Sequence, residues 1–184
     1  MGFRRLKYGF CLLGATITMN WPSDAESLEH QVKAAFLYNF AKFVEWPQTN
    51  PEVGGSFTLC MLGGDPFGPV LESTTGGKKV HGVPFTLRRI ASTKETEGCR
   101  ILFISASERK RFSKILEEIG GSELLTVSES PGFASQGGMI NFFLEDDKVR
   151  FEINLEVVRR AGFQFSAQLL QLARLVGPQV AGKK

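Results

Sequence analysis

Hydrophobic positions fall along the chain in three patterns. From Leu28 onward, apolar residues recur three or four apart at Val32, Ala35, Phe36, Phe40 and Phe43, and Ala34, Leu37, Ala41 and Val44 add a second stripe. The spacing predicts a helix over about residues 28–45, capped by Ser27 and stopped ahead of Pro47. Few of its positions are left for water, so it is buried or lies at an interface. Continuous apolar runs at Phe57–Leu62, Ile101–Ile104 and Leu124–Val127 have the length and character of strands covered on both faces. Strict alternation marks a third pattern, with Val149, Phe151, Ile153 and Leu155 set against Arg150, Glu152 and Asn154. With Met139–Leu144 and the acidic turn Glu145-Asp146-Asp147, this predicts an antiparallel hairpin with one face in water.

The connecting segments complete the architecture. Asp65 is placed to cap, and Pro66 to open, a short helix reaching about Ser73, and Lys79–Ile90 reads as a weak hairpin around Gly82-Val83-Pro84. Ser105 and Glu108 form a capping box for an amphipathic helix carrying Phe112, Ile115, Leu116 and Ile119, which Gly120-Gly121 ends. That helix lies between two apolar runs, a βαβ unit that implies parallel strands joined by a right-handed crossover. A short helix over about Glu156–Ala161 closes at Gly162. Ser166 caps a last one with Leu169, Leu170, Leu172, Ala173 and Val176 on its apolar side, stopped by Gly177-Pro178. The expected fold is a single-domain α/β sandwich with a mixed, partly parallel sheet and flanking helices, over residues 26–184.

The first 25 residues read differently. Arg4, Arg5 and Lys7 precede a dozen largely apolar residues from Tyr8 to Met19, and Ser23-Asp24-Ala25 has the small-x-small form of a cleavage site. This is expected to be a secretory signal peptide cleaved after Ala25, because the apolar run is shorter than the roughly 20 residues of a membrane span. Its removal lowers the formal charge from +3 to +1. The basic doublets Lys78-Lys79, Arg88-Arg89, Lys110-Arg111 and Arg159-Arg160 are scattered, without the concentrated stripe that nucleic acid requires. Export also removes Cys11, leaving Cys60 and Cys99 as an even pair in an oxidising compartment, for which a disulfide is the natural pairing.

No catalytic or metal-binding set emerges. His30 and His81 are isolated and lack zinc spacing, and no serine sits in a nucleophile elbow. Gly63-Gly64-Asp65-Pro66-Phe67-Gly68 follows a strand and opens a helix, where a phosphate could sit. Asp65 would repel the anion there, and Pro66 removes an amide donor. The acidic turn lacks the glycine and terminal glutamate of a calcium loop, and Cys60 and Cys99 are too far apart for a Cys-x-x-Cys redox motif. No cofactor is expected. The over-apolar first helix, with Phe43 and Trp46 beside Pro47, instead suggests binding to another protein, since large aromatics at a helix end often anchor interfaces. A receptor for a small molecule is the second reading, although no second lobe is evident.

One stretch also resembles a known family. Gln31-Val-Lys-Ala-Ala-Phe-Leu-Tyr-Asn-Phe-Ala-Lys-Phe-Val-Glu-Trp-Pro47 is similar to the opening signature of YfiR-like periplasmic proteins. So are Leu62–Gly68, Cys99–Ser105, and Gly137-Gly-Met-Ile140 with Val149–Leu155. The resemblance implies an α/β domain, often a homodimer, that regulates rather than catalyses. The implied partner is the periplasmic sensor region of an inner-membrane diguanylate cyclase, with release prompted by an outer-membrane lipoprotein. Members with a second disulfide place it around the segment equivalent to Phe133–Phe142, where this chain has no cysteine.

Overall fold

The computed structural model describes residues 24–47 and 55–177. All but the last two residues of the predicted signal segment lie outside them. In chain order the elements are α1 (Asp24–Phe43), β1 (Val44–Glu45), β2 (Phe57–Leu62), α2 (Pro69–Thr75), β3 (Lys79–Val80), β4 (Val83–Ile90), β5 (Cys99–Ile104) and α3 (Phe112–Glu118). They continue with β6 (Leu125–Ser128), β7 (Ile140–Glu145), β8 (Lys148–Asn154), α4 (Leu155–Arg160), β9 (Gln164–Phe165), α5 (Ala167–Leu172) and β10 (Arg174–Val176). Eight strands form one mixed sheet in the order β10-β8-β7-β6-β5-β2-β4-β3, and β1 pairs with β9 in a separate ribbon. β4, β2, β5, β6 and β7 run parallel, β3 is antiparallel to β4 and β8 to β7, and β10 runs parallel to β8.

Local chemistry moves several boundaries from where the sequence places them. Ser27 lies inside α1 rather than capping it, where its hydroxyl accepts from Gln31. The helix ends at Phe43 because Val44 and Glu45 pair instead with Phe165 and Gln164. Asp65 does use its carboxylate on backbone amides, those of Phe67 (2.8 Å) and Gly68 (3.1 Å), but the resulting turn delays α2 to Pro69. Ser105 accepts from Ser107 at the head of a 3₁₀ stretch over Ala106–Arg111, and Glu108 pairs with Arg111 rather than completing a capping box. At the far end the helix predicted to run on to Val176 breaks at Leu172, and Arg174–Val176 becomes a short strand against β8.

Alternation of side chains assigns the two faces of the sheet. On one face Leu59, Met61, Ile101, Phe103, Leu125, Val127, Ile140, Phe142, Phe151 and Ile153 form the main core with α1, α2 and parts of α4 and α5. α1 is seated on β7 and β8 by rings: Phe36 and Phe40 lie 5.1 and 5.2 Å from Phe151, and Phe40 lies 5.8 Å from Phe142. On the other face Cys60, Leu62, Leu102 and Ile104 pack under α3 through Phe112 and Ile115. That face then turns polar, because Thr126, Ser128, Asn141, Glu152 and Asn154 occupy the corresponding positions of β6, β7 and β8, all buried.

The water-facing side predicted for β8 is therefore corrected. Glu152 accepts from Arg174 of β10 (2.8 Å) and from Asn141 (3.2 Å). Asn154 donates to the Ala134 carbonyl (2.8 Å) and accepts from Val157 as the cap of α4. β10 and the loop holding Ala134 cover polar groups that alternation alone leaves to solvent.

Candidate functional site

In doubly wound sheets a ligand commonly enters at the carboxyl ends of strands whose connections leave in opposite directions. Here those strands are β2 and β5, since α2 returns on one face and α3 on the other. The crevice is shut. The Gly64 amide donates to Ser107 Oγ (3.0 Å), and a Cβ on Gly63, whose φ is +90°, would lie 2.6 Å from that oxygen. Asp65 has taken the amides a phosphate would need and is bridged to Arg89. Three other regions hold the unusual side chains.

The first is the disulfide. Cys60 and Cys99 are joined with their Cα atoms 5.7 Å apart, within the span a bridge allows. Neighbouring strands alone would not suffice. The register shifts by one residue, from Thr58↔Cys99 to Leu59↔Ile101, and this bulge turns Cys99 to the face occupied by Cys60. Arg88 covers the bridge, its guanidinium 3.1 Å from Cys99 Sγ and 2.9 Å from the Glu95 carbonyl.

The second is the carboxyl end of α1, which brings Phe43 and Trp46 to the same end of the fold in different settings. Phe43 is 40% exposed, with Lys42 Nζ 5.5 Å from its ring centre. Trp46 is half-buried, edge-on to Phe57 and Phe163 at 5.2 Å each. Its indole Nε1 is buried without an acceptor among the described residues. Pro47 lies against Gly162 and forms one wall of a groove of about 650 Å³, whose apolar lining includes Leu116, Ile119, Leu124, Met139 and Val157.

The third region lies along the amino-terminal half of α1. Lys33 is only 5% exposed, with its ammonium 2.5 Å from Glu29 and 2.7 Å from Glu129, the residue that follows β6. Burial pulls its pKa down, but hydrogen bonds and charge from Glu129 and Glu29 more than offset that and hold it above the ordinary lysine value. With Asn141, Glu152 and Arg174, this group lines a polar cleft of about 960 Å³. Of these residues only Glu152 has a place in the sequence pattern, on the water-facing side of the alternating strand. The available signals were a lysine, Lys33, flanked by apolar residues within the first helix and a lone asparagine in the run Met139–Leu144. Among the described residues no three His, Cys, Asp or Glu side chains converge as metal ligands, and no helix is long and apolar enough to cross a membrane.

Comparison with known proteins supplies the class. Residues 30–174 match the family described as YfiR/HmsC-like (DUF4154), and the chain belongs to that family. Its members are periplasmic regulators in cyclic di-GMP signalling, regulatory rather than catalytic. Two solved structures share the fold. One is an ABC domain from Streptococcus pneumonia in complex with L-Trp, with TM-score 0.50 and 11% identity, the match covering 65% of this chain and 55% of that one. The other is a conserved domain protein from Vibrio cholerae O1 biovar El Tor, with TM-score 0.53 and 6% identity, covering 77% of this chain and 59% of that one. The chain thus spans little more than half the length of these proteins, and at such identities the likeness is one of fold.

Proposed function

We propose that this protein holds a membrane-bound diguanylate cyclase in its inactive state by binding the enzyme's periplasmic sensor region, and that an outer-membrane lipoprotein relieves the inhibition. The observation that carries this reading is Phe43, a large aromatic left 40% exposed where α1 ends, beside the half-buried Trp46. Family membership supports the class of partner. A repressor works by binding the inactive state of its partner more tightly than the active one. Aromatic anchors of this kind commonly contribute about 2 kcal/mol or more to binding. A second copy of the chain is the other partner this reading includes, as a homodimer.

Deleting the gene is expected to raise cyclic di-GMP and surface attachment, and a copy lacking residues 1–25 should fail to restore the wild type. Unchanged cyclic di-GMP in the deletion strain, with the cyclase expressed, would overturn the proposal. The groove beside Pro47 favours a second reading, a receptor for a small molecule, since its size and apolar lining suit one.

A further inference from the structure

The cleft at the amino end of α1 contains an unanswered hydrogen-bond acceptor. Asn141 is 2% exposed, and its Oδ1 has no partner among the described residues. Its orientation is fixed, because Glu152 Oε1 must receive the amide and does so from Asn141 Nδ2 at 3.2 Å, which leaves Oδ1 unpaired. A buried acceptor without a donor is costly, and so marks a place where a donor belongs.

The surroundings specify the donor's charge. Four glutamates, Glu26, Glu29, Glu129 and Glu152, line the cleft against the two cations Lys33 and Arg174, so carboxylates outnumber the basic side chains. The chain also shows how such a site holds a cation. The Arg174 guanidinium lies 3.9 Å from the Phe143 ring centre and 2.8 Å from Glu152, held by an aromatic face and a carboxylate together. The volume of about 960 Å³ is that of a small-molecule site. We propose that this cleft binds a small organic cation, a guanidinium or primary ammonium on a short carbon stem, whose N–H donates to Asn141 Oδ1. The assignment is independent of the protein partner, whose contact is placed at the other end of α1.

The test is isothermal titration of residues 26–184 with n-butylguanidinium, using n-butylurea as a neutral counterpart of the same shape, at low and at physiological salt. The cation should bind at least about tenfold more tightly than the urea, and added salt should weaken it. Asn141→Leu should weaken cation binding about tenfold, while Asn141→Asp, which keeps an acceptor, should bind at least as well as the wild type. The Asn141 side-chain amide resonances of the wild type should shift during the titration, a readout that does not depend on any variant folding. Equal binding of urea and guanidinium, unmoved Asn141 resonances, or undiminished binding by a folded Asn141→Leu would each overturn the proposal.

Discussion

The two faces of the central sheet are built from alternate residues of the same strands, yet they solve different problems. Beneath α1 the face is apolar from β2 to β8 and is closed by Phe36, Phe40, Phe142 and Phe151. Beneath α3 it is apolar only around the disulfide and becomes a buried polar row from Thr126 to Asn154. Apolar packing tolerates approximate geometry, whereas a buried polar row is stable only when each group finds its partner. The first face therefore supplies most of the stability, and the second fixes how the β7–β8 hairpin, β10 and the Ala134 loop sit on one another.

The largest loss of stability is expected on the aromatic face. Phe142→Ala removes a ring in contact with both Phe36 and Phe40 and should cost about 4 kcal/mol in chemical denaturation. Lys33→Ala should cost about 3 kcal/mol, because it strands Glu129 and Glu29 beside a buried site. Its pH dependence has a definite sign. A lysine whose pKa is raised on folding contributes fully below its ordinary value of 10.5 and loses that contribution as pH rises through the folded value. The difference in Tm between wild type and Lys33→Ala should therefore be constant near neutrality and narrow above about pH 10.5. A gap that widens there would contradict the assignment.

On the other face, reducing the Cys60–Cys99 bridge releases a loop of 39 residues, which chain entropy alone values at about 4 kcal/mol and strain or residual structure lowers. Two free thiols in protein isolated from the periplasm, found by non-reducing mass spectrometry, would remove this term. Asn154→Ala should cost about 2 kcal/mol by losing both the Ala134 contact and the α4 cap. Asn154→Asp keeps the cap alone and should recover part of the loss.

Much of the fold was legible because it rests on local signals. The continuous runs became β2, β5 and β6, the alternating pair became β7 and β8, and the helix crossover between β5 and β6 has the expected parallel strands. The errors share one physical cause, which is tertiary cover. Ser27 has the chemistry of a cap but lies within α1, and Val44–Glu45 are helical by pattern yet are claimed by β9. Glu152 and Asn154 look solvent-facing until β10 and the Ala134 loop close over them. The polar cleft was illegible for the same reason, since Lys33, Glu129, Asn141 and Arg174 come together only through long-range packing. Even Gly138 shows its need only in three dimensions, where a Cβ would lie 2.1 Å from the Phe133 ring.

Phe43→Ala is the smallest of these changes in stability and the most informative about function. The side chain is 40% exposed and belongs to neither core cluster, so the unfolding free energy should move by no more than about 0.5 kcal/mol. The decisive measurement is cyclic di-GMP in a deletion strain complemented with wild type or with Phe43→Ala, at matched periplasmic protein levels. If the end of α1 is the contact that restrains the cyclase, the variant should leave cyclic di-GMP close to the level of the uncomplemented deletion while its Tm stays that of the wild type. Full restoration by Phe43→Ala would contradict the account.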